Sequence, residues 1–139
     1  MERRFWNEEV ETMSRDELRE VQWQRLKKQM RYVYYNSEFY RKTFLKAGAH
    51  PDDVKSIEEF RHLPIFLDKE MDRLTQEKTR EEEGHPFGEY LCTSTKNVRA
   101  MHTTSGTTGL PVFEGFSERD INVQNEVLSR AFWRIGIRP

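Results

Sequence analysis

Between Thr103 and Gly109 the chain places five hydroxyl side chains and two glycines in seven consecutive residues, Thr103-Thr104-Ser105-Gly106-Thr107-Thr108-Gly109, followed by Leu110-Pro111. Glycine permits positive φ and close backbone approach, successive amides can form an anion-binding nest, and hydroxyls donate to phosphate oxygens or help to hold magnesium. The chemistry this composition supports is a polyphosphate cradle. Its order excludes two common phosphate motifs: no Gly-Lys-Ser/Thr follows Gly106 at Walker A spacing, and no G-x-G-x-x-G is present. On the residues alone, an ordinary polar hairpin loop fits the segment as well as a phosphate site.

The elements that must position this segment are two short apolar stretches, Val98 to His102 and Val112 to Phe116, expected as strands around a loop. Helices are expected on both sides. From Ser14 to Tyr35, Trp23, Leu26, Met30 and Val33 recur at three- and four-residue steps, and Ser14 with Glu17 forms a capping-box pair at the start. Asn36-Ser37 ends that helix and caps the next, which carries Phe39, Tyr40, Phe44 and Leu45 and stops at Gly48, where a left-handed residue is wanted. Ser56 and Glu59 open a short helix that must finish before Leu63-Pro64. Asp68 caps a fourth, with Met71 and Leu74 expected inward. The polar run from Gln76 to Gly84, with Glu81-Glu82-Glu83, reads as a solvated loop. Ser117 with Asp120 starts a last helix bearing Ile121, Leu128, Phe132 and Ile135.

The expected organisation is therefore a helical region over 1–75, a loop over 76–97, a strand–loop–strand unit over 98–116 and a helix over 117–136. The fold class is α/β and helix-rich, with four to five helices and one short antiparallel strand pair. Two strands do not make a stable sheet by themselves. The apolar helix faces therefore call for cover, and the chain reads as an incomplete part of a larger domain.

The 139 residues carry 23 Lys and Arg against 24 Asp and Glu, a net charge of −1. Such a balance disfavours a sequence-blind nucleic-acid binder, which needs excess cations to displace phosphate counterions. No apolar run approaches the roughly 20 residues that span a bilayer, and no signal-peptide core follows Met1, so a cytoplasmic, membrane-free protein is expected. Cys92 is the only cysteine, which rules out an intrachain disulfide. His50, His62, His85 and His102 are scattered without ligand spacing, so no metal site is expected from protein ligands; the first three read as surface or capping residues, and His102, three residues before Ser105, as a strand-end structural residue, with an approach to a nucleotide as the lesser alternative. Tyr32, Tyr34, Tyr35, Phe39 and Tyr40 read as helix packing, and Lys27, Lys28, Arg31, Arg41 and Lys42 as a solvated basic face. Contact of that face with coenzyme A phosphates is the lesser alternative.

Ser-Gly-Thr-Thr-Gly-x-Pro after a short strand resembles the phosphate-binding loop of the adenylate-forming enzymes, the superfamily of acyl-CoA synthetases, luciferases and peptide-synthetase adenylation domains. Within it the chain is most similar to the phenylacetate-CoA ligases. Further collinear stretches carry the likeness: Trp6 to Arg15 (W-N-E-E-V-E-T-M-S-R), Tyr34 to Tyr40 (Y-Y-N-S-E-F-Y), Ala47 to Val54 (A-G-A-H-P-D-D-V), Leu63-Pro64 and Pro86-Phe87-Gly88. The resemblance implies the N-terminal part of the large domain of such an enzyme, with the C-terminal domain absent. It implies a ligase using ATP, Mg2+ and coenzyme A on a small aromatic or aliphatic carboxylic acid.

On the matching positions, Ser105, Thr107 and Thr108 would offer hydroxyls, and Gly106 and Gly109 backbone, to the β- and γ-phosphates. No catalytic residue is assigned. Two departures stand out: Leu110 occupies the position where a lysine often follows the second glycine, and the chain is longer than typical relatives between Asp72 and Pro86. Two other functions compete with this one. The acyl group could pass to a carrier protein or another acceptor, or the chain could be a non-catalytic helical interaction module; as an isolated fragment it is expected to be inactive.

Overall fold

The computed structural model describes residues 3–64, 67–104 and 111–138. Local capping chemistry sets most of the element boundaries. After one turn of helix, α1 (Glu8–Glu11), capped by Asn7, the long helix α2 (Arg15–Asn36) starts with the expected reciprocal pair: the Ser14 hydroxyl accepts from the Glu17 amide and the Glu17 carboxylate from the Ser14 amide. Ser37 is extended. It ends α2 and, through its hydroxyl, caps α3 (Glu38–Lys46) at the Tyr40 amide. At the far end Gly48 takes φ +65°, so that the amides of Gly48 and Ala49 donate to the carbonyls of Leu45 and Phe44, closing α3 in a Schellman arrangement.

The apolar stripe of α2 meets α3 in the main core. Met30, Phe44 and Val54 are buried, with Trp23, Leu26, Val33, Tyr34, Ala49, Phe60 and Leu63 packed around them. Phe60 comes from α4 (Ile57–Arg61), whose amides are capped by Ser56 and which stops ahead of Pro64. Leu45, the residue after Phe44 in the same helix, falls outside this packed face and is 61% exposed.

Helix α5 (Lys69–Glu82) departs from expectation. Asp68 caps it as expected, accepting from the amides of Glu70 and Met71, but the helix runs through Gln76 to Glu82, where a solvated loop was expected. Its buried face is polar: Thr75, Gln76 and Thr79 point inward, whereas Leu74 is 60% exposed and Met71 also lies at the surface. Partners from outside the helix provide the reason. Thr79 Oγ1 donates to the His85 carbonyl and accepts from the Gly88 amide, so the following chain folds back over this face. Only the part of 76–97 beyond the helix is irregular, ending in a single 3-10 turn at Thr95–Asn97.

Strand β1 (Val98–Thr103) pairs antiparallel with β2 (Phe113–Ser117), in register from Thr103 opposite Phe113 to Ala100 opposite Phe116, with an irregularity before Val98 meets Ser117. Val112, expected in the second strand, is buried just ahead of it. The chain passes directly into α6 (Glu118–Arg134), where Ser117 and Asp120 form the expected capping box. Among the described residues there are thus six α-helices against the four to five expected, the addition being the single turn α1. Val123, Val127, Leu128 and Phe132 of α6, and Ile135 just beyond it, are exposed. No helix among the described residues is long and apolar enough to cross a membrane.

Candidate functional site

The candidate phosphate residues Ser105, Gly106, Thr107, Thr108 and Gly109, and Leu110 after them, lie outside the described residues. Their two legs are described, and they converge. Beyond the last strand pair, the Thr104 amide donates to the Val112 carbonyl and the Val112 amide donates to Thr104 Oγ1, both at 3.1 Å. The hydroxyl of Thr104 therefore ties the upstream leg to the downstream one. The expected antiparallel strands on either side of the segment are present.

Helix α5 holds the downstream leg from the other side. Gln76 Nε2 donates to the Phe113 carbonyl at 2.8 Å, and Gln76 Oε1 accepts from the Phe113 amide at 3.0 Å. The same Nε2 lies 2.5 Å from the Tyr90 hydroxyl and 3.3 Å from Asp72 Oδ1, and the Tyr90 hydroxyl in turn donates to Asp72. Burial, followed by the Asp72 carboxylate, pushes the Tyr90 phenol well above its ordinary pKa, so it remains a neutral donor. One turn further, the Arg80 guanidinium lies over the Phe113 ring, 5.5 Å from its centroid. Arg80, Gly84, His85, Pro86, Met101, Pro111 and Phe113 line an open cavity of about 460 Å³ at the foot of the downstream leg. The segment 103–111 contains no cation of its own. Neither Gln76 nor Arg80 was visible as a site residue in the sequence, where both fall in the polar run; regular helical spacing of Asp72, Gln76 and Arg80 is the signal available there.

No protein-family model matches the chain. Over 135 residues it is 32% identical to the phenylacetate-coenzyme A ligase of Thermus thermophilus, covering 97% of this chain and 28% of that enzyme. Over 131 residues it is 34% identical to the phenylacetate-coenzyme A ligase of Aromatoleum evansii, covering 94% and 27%. The structure superposes on a crystal structure of 2-hydroxyisobutyryl-CoA ligase in complex with 2-HIB-AMP and CoA, with a TM-score of 0.86 and 31% identity over 99% of this chain and 28% of that one. Along nearly all of its length the chain is similar to phenylacetate-CoA ligases. It spans just over a quarter of the length of the curated relatives it matches, and the six helices and strand pair of its described residues match the N-terminal part of an adenylate-forming CoA ligase.

The remaining sequence candidates take local roles in this ligase-like fold. His50 stacks edge-on against Tyr34 beside Asp52, His62 Nδ1 meets the Glu58 carbonyl, His85 lies 3.2 Å from Glu83, and His102 packs against Phe116. No group of three or more His, Cys, Asp or Glu side chains gathers at one point among the described residues. Cys92 is half-buried; burial and then Asp120 push its thiol up to about 11, leaving it protonated and weakly nucleophilic at neutral pH. In the basic group, Arg31 pairs with Asp52 at 2.5 Å, Lys42 with Glu38 at 2.8 Å, and Lys27 lies over the Trp23 ring. Of the tyrosines expected to pack, Tyr34 stands edge-on to both Tyr35 and Phe44, whereas Tyr32 and Tyr35 themselves lie exposed.

Proposed function

We propose that this chain is the N-terminal part of an ATP-dependent carboxylate–CoA ligase of the phenylacetate-CoA ligase type. In the first half-reaction a carboxylate oxygen of a small aromatic or aliphatic acid attacks the α-phosphorus of ATP, forming an acyl-adenylate as pyrophosphate leaves. In the second, the thiol sulfur of coenzyme A attacks the acyl carbon, the mixed anhydride bond breaks and AMP departs. The role of this chain lies in the first half-reaction. Ser105, Thr107 and Thr108 donate hydroxyls, and Gly106 and Gly109 backbone amides, to the β- and γ-phosphates, because phosphoryl-transfer chemistry depends chiefly on positioning and charge neutralisation. Magnesium fits the same hydroxyl-rich set as a hard cation with oxygen ligands, supplying charge neutralisation when bound with the nucleotide.

The observation that carries this reading is the collinear likeness to CoA ligases across 97% of the chain, with a Ser-Gly-Thr-Thr-Gly segment between the two legs joined at Thr104 and Val112. Coenzyme A as acceptor is favoured over a carrier protein by the likeness to a ligase crystallised with CoA. The cytoplasm, where ATP and CoA are both at hand, is the setting of this reading.

The test is ATP–pyrophosphate exchange by the complete protein containing this chain, with a panel of acids that includes phenylacetate and 2-hydroxyisobutyrate, followed by thioester formation on adding coenzyme A. Exchange followed by acyl-CoA supports the reading. Exchange without thioester moves the acceptor to a carrier protein, and no exchange with any acid refutes the ligase. The 139-residue chain alone, covering about a quarter of the relatives' length, is expected to give neither signal.

A further inference from the structure

We infer that Gln76 is a positioning residue for the nucleotide segment: its carboxamide holds Phe113, and through it the downstream leg of Ser105–Gly109, in place opposite Thr104. This deepens the phosphate-site reading and rests on it. The geometry is that of a missing strand. Phe113 stands opposite Thr103 in the ladder, and its amide and carbonyl both go to the one side chain of Gln76, at 3.0 and 2.8 Å. An edge residue of a two-stranded ribbon would otherwise leave both groups to water. A single carboxamide, carrying one acceptor and one donor group, satisfies them as a neighbouring backbone would.

The clamp is itself fixed. Gln76 is 3% exposed, and the Tyr90 hydroxyl and the Asp72 carboxylate take up the rest of its amide. Asp72, Gln76 and Arg80 stand one turn apart on α5, and Arg80 covers the ring of the residue whose backbone Gln76 grips. The downstream leg is therefore held by a helix as well as by its partner strand. For phosphate binding that matters because the amides and hydroxyls of a cradle act only at hydrogen-bond range, and a small displacement of one leg costs much of the interaction.

The test uses Gln76→Leu, Gln76→Glu and Tyr90→Phe in the complete protein. Gln76→Leu is expected to lower kcat/KM for ATP in the exchange reaction by about tenfold or more, with thiolysis of preformed acyl-adenylate changed by less than about twofold. Hydrogen exchange should quicken in peptides covering Val112 to Ser117 and stay unchanged in those covering Met30 and Phe44. Tyr90→Phe should act in the same direction but less strongly, because both bonds to Phe113 survive. Gln76→Glu adds a readout that general destabilisation would not move. The ionised carboxylate keeps the acceptor for the Phe113 amide but loses the donor and faces Asp72; protonation restores the donor. Its adenylation deficit relative to wild type should therefore shrink as pH falls.

Equal losses in both half-reactions, or a deficit in Gln76→Glu that does not change with pH, would overturn the inference. If the wild-type protein adenylates no acid, the ligase reading fails by itself. Hydrogen exchange then still decides the clamp, and wild-type exchange over Val112–Ser117 in Gln76→Leu would overturn it.

Discussion

Trp6 and Glu126 are 120 positions apart in the chain and joined by a 2.8 Å hydrogen bond from the indole Nε1 to the carboxylate. Asn7 Nδ2 donates to the other carboxylate oxygen at 2.9 Å, and Arg130, one turn along α6, completes the set at 3.0 Å. The ring of Trp6 also lies 5.7 Å from that of Trp133. The N-terminal segment is thereby fastened to the helix that follows the strand pair.

This arrangement has a pH signature. The hydrogen bonds from Asn7 and Trp6, and then Arg130, hold the Glu126 carboxyl below its ordinary range. A carboxylate with a depressed folded-state pKa contributes stability that is present above the unfolded value and lost as pH falls through the folded one. Glu126→Gln should accordingly be less stable than wild type at neutral pH and lose less on acidification, so that the two urea midpoints approach each other in acid. Parallel midpoint curves across the acid limb would show that this carboxylate carries no proton linkage.

Adjacent residues in α3 should respond very differently to truncation. Phe44 is 2% exposed in the main core, and Phe44→Ala is expected to cost about 3–5 kcal/mol. Leu45→Ala, one position on and facing solvent, is expected to fall within about 0.5 kcal/mol of wild type. Denaturant midpoints of the two variants of this chain measure the contrast, and comparable losses would mean that the core is not where Met30, Phe44 and Val54 place it.

Two glycines with similar backbone angles separate strain from crowding. Gly84 (φ +74°) has open space where a Cβ would stand, so Gly84→Ala should cost only the left-handed penalty of about 1–2 kcal/mol. At Gly88 (φ +77°) a Cβ would lie 2.5 Å from the Tyr90 ring and 2.8 Å from Thr75 Oγ1. Gly88→Ala should be worse than Gly84→Ala and should also quicken hydrogen exchange at Phe113, because Tyr90 must move away from Gln76. Thermal melts with peptide-level exchange provide both readings.

Under the proposed phosphate-binding role, Thr108→Ala in the complete protein removes a donor to a charged oxygen, an interaction typically worth about 1.5–3 kcal/mol, so adenylation should slow at least about tenfold. Thiolysis of preformed acyl-adenylate should change little, since pyrophosphate has already left. Gly106→Val should be worse, because a β-branched side chain blocks close approach of the phosphates. Leu110→Lys should tighten ATP binding by returning a cation to a segment that has none. Separate assays of the two half-reactions judge all three; equal loss in both steps would reduce the segment to general support of the fold.

The features legible in the sequence are those settled within a turn of chain. Ser14 with Glu17, Ser37, Ser56, Asp68 and Ser117 with Asp120 mark helix starts because a cap and its amide are two or three residues apart, and Gly48 marks an end because its φ is a property of one residue. The apolar stripe of α2 is likewise a matter of local spacing, as are the two strands that flank the hydroxyl-rich segment. The collinear family likeness was readable too, since it depends on the order of residues alone.

Tertiary structure decided the fate of the polar run after Asp72. From composition, Gln76 to Gly84 looks like residues meant for water, because a buried polar side chain is costly unless something distant satisfies it. For Gln76 that partner is Phe113, 37 positions away; for Thr79 it is the turn at His85 and Gly88. Neither partner is implied by the helix's own sequence, so neither the length of α5 nor its grip on the downstream leg could be read before the chain was folded. The same holds for Trp6 with Glu126, and for Leu45 against Phe44, where helical spacing supplies a face but only the packed neighbours determine how wide that face is.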